Sequence, residues 1–237
     1  MLRTHPTLWL PPLEGITRDE HHRYRLGDHQ FPVSVTGVLQ VTKSAYAMAR
    51  IEETRADWEP RGNTCHTALE LAASSPDWHP DHWPACWPWI DWIWPMLTHP
   101  LWDDALLIAS ERPLYSLTRN IAGTTDGALL VPKPGRGWWR YLFDLKSQGT
   151  AAASPYDTRA QLGGYLEMEL EHGNTYDGAF TLWARPGRCR LSRVCTVEEC
   201  LVEWRGALAA YGKVQANQER ARAAGVIVSG SVDPFRL

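Results

Sequence analysis

Asp144-Leu145-Lys146 closes the apolar run Trp138 to Phe143, and Gly123-Thr124-Thr125-Asp126 stands upstream of it. Two carboxylates and a lysine on adjacent strands are what phosphodiester hydrolysis needs. Hard cations such as Mg²⁺ or Mn²⁺ take oxygen ligands, lower the pKa of bound water and offset charge gathering on a phosphate. A lysine beside them can orient or deprotonate the attacking water and stabilise the transition state. The triplet D-x-K alone is common, so its surroundings carry the weight.

Those surroundings read as a hairpin. Trp138-Trp139-Arg140-Tyr141-Leu142-Phe143 is aromatic and β-prone. Pro132-Lys133-Pro134-Gly135-Arg136-Gly137 is rich in turn formers, and Asp126-Gly127-Ala128-Leu129-Leu130-Val131 is a second strand. An antiparallel pairing puts Asp126 and Asp144 side by side at the end away from the loop. Asp144 and Lys146, two apart in a strand, point to one face. The plain alternative is an ordinary hairpin with a solvated D-x-K end.

Two more pieces flank it. After the Glu59-Pro60-Arg61-Gly62 break, the residues from Asn63 to Leu71 read as a helix start capped by Asn63 or Thr64. His66 and Glu70 share one helical face, so a neutral imidazole could complete a carboxylate site with Glu70 bracing it from behind. The alternative is a buried or capping histidine. Downstream, a helix is expected from about Asp157 to Glu171, with Gln161 and Tyr165 on one face. Their amide and phenol could hydrogen-bond a phosphate or a water, or Tyr165 could simply pack with Leu162, Leu166 and Met168.

Taken in order, R-G-x-x-x-H-x-x-x-E, G-x-x-D, D-x-K and Q-x-x-x-Y resemble the RecB-type branch of the PD-(D/E)XK nuclease superfamily. That branch includes phage exonucleases, CRISPR adaptation nucleases and the mitochondrial genome maintenance exonuclease. Tyr24-Arg25-Leu26-Gly27 followed by Pro32-Val33-Ser34-Val35-Thr36 also looks like the opening of phage members, and the resemblance covers residues 24–210. It implies an α/β, restriction-endonuclease-like fold, a central mixed sheet flanked by helices. It further implies a Mg²⁺ or Mn²⁺ ion held by His66, Asp126, Asp144 and the Leu145 carbonyl, with Lys146 catalytic. Gln161, Tyr165, Arg61 and Ser147 would contact DNA, and Glu111 would stand as a strand-borne supporting glutamate. The chain departs from the pattern in having no proline before Asp126 and Asp rather than Glu in D-x-K.

These pieces set an expectation of a DNA exonuclease acting on single strands or ends in phage recombination or replication. The rival readings are a non-catalytic DNA-end or single-strand binding module and a structure-selective endonuclease. Organisation is expected to be an extension (1–23), a single nuclease domain (24–224) and a tail (225–237). The 237 residues suffice for one cored domain. A net charge of −3 does not exclude DNA, which feels the local field. Arg136 and Arg140 lie by the hairpin, and Arg188, Arg190 and Ser192 share a face if 188–194 is a strand, although a solvated edge strand explains them equally.

Neither a secretory leader nor a membrane span is visible, so a cytoplasmic protein is expected. The odd count of five cysteines fits reduced thiols. Some relatives carry an iron–sulfur cluster, but the tight C-x-x-C among their late cysteines is missing here. Cys189 and Cys195 in a strand region and Cys200 on the apolar side of a helix read as buried thiols, and no cluster is expected. His79, Asp81, His82 and Cys86 fit no zinc spacing and read as a Pro-rich surface loop.

Thirteen tryptophans gather largely in residues 78–102. Trp87, Ile90, Trp94 and Leu97 suit one helical face and Trp89, Trp92 and Met96 another, with Pro95 kinking or breaking the helix. Burial on both faces is expected, a base-stacking platform being the alternative. Val197 to Arg222 reads as a long amphipathic helix with Leu201, Trp204, Leu208 and Tyr211 at helical spacing.

Overall fold

The computed structural model describes residues 2–75 and 77–224; the expected tail lies outside the described residues. The chain runs β1 (Ile16–Arg18), β2 (Tyr24–Leu26), β3 (His29–Gln30), α1 (Val35–Val41), α2 (Ala45–Glu53), α3 (Arg55–Ser74), α4 (Ile90–Leu97) and α5 (Leu101–Asp104). It continues with β4 (Leu106–Ser116), β5 (Ile121–Pro132), β6 (Trp138–Ser147), α6 (Arg159–Glu171), β7 (Gly178–Arg185), β8 (Arg188–Leu191) and α7 (Val197–Ala223). The fold is α/β: a five-stranded sheet in the order β4-β5-β6-β7-β8, flanked by helices, with β1-β2-β3 as a small second sheet.

The large sheet is mixed. All its pairs are antiparallel except β6–β7, where α6 makes the crossover that a parallel neighbour requires. Gly135 and Gly137 adopt positive φ in the β5–β6 turn, a conformation open to glycine without strain. One face of the sheet packs on α1, α6 and α7 through residues such as Val35, Leu142, Leu166 and Trp204. The other packs on α3 and α4 through Leu69, Ile93, Phe143 and Leu182. Being covered on both sides, β5 is buried from Ile121 through Leu130 instead of alternating.

Helix ends follow their local chemistry. Ser34 Oγ accepts from the Gly37 N–H to start α1, and Thr196 with Glu199 forms a reciprocal capping box at α7. The described helices include none long and apolar enough to cross a membrane.

Several expectations are corrected. Glu59-Pro60-Arg61-Gly62 is not a break: α3 begins at Arg55 and carries Pro60 inside it, so neither Asn63 nor Thr64 is a cap. Proline removes one backbone donor, but the turn around it is re-tied by Thr64 Oγ1 to the Pro60 carbonyl and Arg61 Nη1 to the Asp57 carbonyl. β8 stops at Leu191: the Ser192 N–H still bonds the Thr181 carbonyl, but the reciprocal Thr181 N–H goes to Ser192 Oγ instead of to backbone, and Cys195 returns as an isolated bridge to Ala179.

In the tryptophan segment the change of geometry falls before Ile90, where a 3₁₀ stretch (Pro84–Trp89) meets α4, and Pro95 sits within the helix. Ile93, Met96 and Leu97 are buried, but Trp87 and Trp94 are 57% and 44% exposed, so the two apolar faces are not both covered. The Pro-rich stretch is only partly surface: Pro80 and Cys86 are buried, with the Cys86 thiol donating to the Pro80 carbonyl. Residues before Tyr24 pack on the sheet. Leu107 N–H bonds the Arg3 carbonyl, Leu10 N–H bonds the Ile108 carbonyl, and Leu10 is buried.

Candidate active site

β5 and β6 are in register with Gly127 opposite Phe143, so the next pair toward the open end is Asp126 with Asp144. Position 127 must be glycine for this approach, since a Cβ there would lie 2.3 Å from Phe143 Cζ. The Leu145 N–H donates to Asp126 Oδ2 at 2.5 Å, tying one carboxylate to the backbone of the other strand. Leu145 thus meets the site through its amide, while its side chain is in the core. Lys146 Nζ lies 2.8 Å from Asp144 Oδ1 on the shared face of β6. Asp144 is fully buried, and its Oδ2 has no hydrogen-bond partner among the described residues.

Glu111 completes the carboxylates from β4. It falls between the rungs Ser110–Gly127 and Arg112–Thr125, abreast of Asp126, and its φ of +45° is strained for a residue with a Cβ. From α3, His66 Nδ1 reaches Glu111 Oε1 at 2.8 Å and Asp126 Oδ1 at 3.6 Å. His66, Glu111 and Asp126 present ligand atoms within 4.8 Å of one another. One imidazole and two carboxylates, with the unpartnered Asp144 Oδ2 nearby, suit a small divalent cation.

Opposed charges set the protonation. Burial pushes Asp126 up to about 7, with the Asp144 and Glu111 charges adding to it and His66 and Lys146 opposing. Burial alone would lower His66, but the Asp126 and Glu111 carboxylates outweigh it and raise the imidazole to about 9. Glu111 is raised by burial yet ends below the usual range, because His66 and Arg18 stand against it. Lys146 is likewise penalised by burial, but Asp144 and Asp126 overcome this and hold it cationic.

The structure gathers Asp126, Asp144, Lys146, His66 and Glu111 and leaves Glu70 at the edge. Glu70 is exposed, and Glu111 makes the bracing hydrogen bond that helical spacing suggested for Glu70. Gln161 Nε2 donates to the Tyr165 hydroxyl at 3.1 Å. Tyr165 is buried against the backbone of Gly123, whose absent Cβ would lie 2.9 Å from its ring, so packing is its evident task. The charges of Asp126 and Asp144 still help to hold its phenol well above the usual value, after burial. Arg61 is buried, with Nε 3.2 Å from Ser147 Oγ and its guanidinium over the Trp92 ring.

Arg18 had no signal in the sequence. It arrives from β1, with Nη1 3.2 Å from Thr124 Oγ1 and 3.6 Å from Glu111 Oε2. Tyr24 secures the same Thr124 hydroxyl at 2.9 Å, which gives the short opening strand a place in the site. The cysteines divide between the two faces of the sheet, Cys195 and Cys200 on one and Cys65, Cys86 and Cys189 on the other. Burial pushes the Cys65, Cys189 and Cys200 thiols up to about 12. No protein-family model matches this chain, and no curated protein matches it.

Proposed function

We propose that the protein is a Mg²⁺- or Mn²⁺-dependent deoxyribonuclease, an exonuclease acting on single-stranded DNA or DNA ends in phage recombination or replication, in the host cytoplasm. The observation that carries this reading is the convergence of His66, Glu111 and Asp126 beside the Asp144–Lys146 pair. His66, Glu111 and Asp126, with Asp144 as a further oxygen donor, would hold a divalent cation, which would supply Lewis acidity and lower the pKa of a water.

The remaining chemistry belongs to the chain. Lys146 is cationic and cannot accept a proton in that state, so it orients the nucleophile and offsets charge on the phosphate. Asp144 aims the ammonium through its 2.8 Å contact. The Leu145 N–H holds Asp126 in place. Gln161 presents an uncharged amide to the backbone of the strand.

The test is degradation of 5′- and 3′-labelled single strands with Mn²⁺, Mg²⁺ or EDTA, using a circular strand and Lys146→Ala as controls. Metal-dependent loss of linear DNA only, at least ~10³-fold slower in the variant, is expected. Cleavage of the circle would indicate an endonuclease. DNA binding without cleavage under any condition would favour a non-catalytic end-binding module.

A further inference from the structure

β6 and β7 are parallel with Lys146 opposite Trp183, and β8 returns with Arg190 opposite Trp183 and Arg188 opposite Arg185. Residues paired across a sheet share a face. Lys146, Trp183, Arg185, Arg188 and Arg190 therefore line one side of the sheet, leading away from the metal-ligand group. Leu182, Ala184 and Cys189 occupy the opposite, apolar side.

This row is rich in donors and poor in acceptors. Trp183 and Arg185 are 1% and 2% exposed, yet among the described residues Trp183 Nε1 and Arg185 Nη2 have no hydrogen-bond partner, and neither has Arg188 Nε. Arg185 Nε does bond Gln148 Oε1 at 2.7 Å, so the side chain is anchored while one arm of its fork is left over. Among the described residues none of Arg185, Arg188 and Arg190 has a carboxylate partner. Burial and the neighbouring Arg188 and Arg190 charges hold Arg185 below the usual arginine range, which marks a site short of an anion. Tyr156, exposed in the connection before α6, sets its ring edge-on to Trp183 at 4.9 Å.

We infer that this face of β7 and β8 is a phosphate-binding track, which grips the DNA backbone beyond the scissile phosphate through Trp183 Nε1, Arg185, Arg188 and Arg190. This rests on the nuclease reading for the identity of the strand. Unpaired buried donors carry a desolvation penalty that a phosphate oxygen removes, and a guanidinium fork matches phosphate geometry. The ligand is a phosphate, either an internal diester or the phosphate on a strand end.

The test is binding of a fluorescein-labelled oligothymidylate in EDTA across a salt series. The variants are Arg190→Gln, at an exposed position, and Trp183→Phe, which keeps a ring and deletes the donor, with Arg205→Gln as a charge control. Arg190→Gln should lower the slope of log affinity against log salt by about 0.7, the loss of one single-strand phosphate contact. Trp183→Phe should weaken binding several-fold, and Arg205→Gln should change neither quantity. A single methylphosphonate linkage should reproduce the loss in wild type and be without effect in Arg190→Gln if the phosphate is internal. Removal of a terminal phosphate should do so if it is an end.

Unchanged slope and affinity in both variants, each melting as wild type, would overturn the track. So would a wild-type protein that does not bind the strand. Cleavage with Mn²⁺ is scored on the same protein preparations and oligonucleotide, without EDTA. Variant-sensitive binding by a wild type that never cleaves would sink the nuclease reading while supporting the track.

Discussion

Asp126 shows how a residue can be poorly placed for stability and well placed for chemistry. Without a cation it is a buried carboxylate beside two others, which lifts it from 3.8 to about 7. A group whose folded pKa is raised in this way disfavours folding once it ionises. The penalty is absent below about pH 4 and complete above pH 7. Asp126→Asn should therefore raise the metal-free Tm by a few degrees at pH 8, about 1 kcal/mol, and leave it unchanged at pH 3.5. Mn²⁺ should raise the Tm of the wild type, and the same variant should lose that increase. Scanning calorimetry at both pH values checks this, and a variant less stable than wild type at pH 8 would show that the carboxylate is not strained. His66 adds a second pH effect. Its imidazole, raised to about 9, must lose a proton to bind a cation, so Mn²⁺ affinity should climb between pH 7 and 9.

Among the elements, the α6–α7 contact places Gln161 and Tyr165 relative to the sheet. Gly163 makes the approach feasible, since a Cβ there would lie 2.1 Å from the Cys200 carbonyl oxygen and 2.7 Å from Trp204 Cβ. Backbone cannot move aside as a side chain can, so Gly163→Ala should cost about 3 kcal/mol in urea denaturation and separate the two helices. Gly206, with open space around it, is the control and should change little. The periodicity of α7 was plain from Leu201, Trp204 and Leu208, whereas its capping box between Thr196 and Glu199 emerged only in the structure. The start of α3 was not, because Pro60 and Gly62 signal a break that long-range packing of Arg61, Cys65 and Leu69 overrides.

For the molecule as a whole, the outer strand of the sheet is the exposed liability. Residues 2–12 guard β4: they bond Leu107 and Ile108, and the Pro11 carbonyl accepts from Arg112, whose buried ion pair with Glu169 ties β4 to α6. Deleting residues 2–12 should lower the urea midpoint and increase light scattering at equal concentration, as an uncovered edge invites pairing between copies. A truncated chain as stable as the parent and scattering no more light would contradict this. The charge balance reads differently at this scale. A net −3 averages the acidic cluster of Glu111, Asp126 and Asp144 with the basic face of β7 and β8, so the total conceals both.

Sequence alone determined the β5–β6 hairpin and the placing of Asp126, Asp144 and Lys146. These depend on a short turn and a period of two, which are local rules. It also marked His66, Gln161 and Tyr165 by helical spacing, without saying what they would meet. Only the tertiary structure decided that Glu111, rather than Glu70, braces His66, and that Arg18 stands behind Glu111. It alone brought Trp183 and Arg185 alongside Lys146. Those contacts join segments far apart in the chain, and they are set by sheet register and helix packing, which no spacing within one segment encodes.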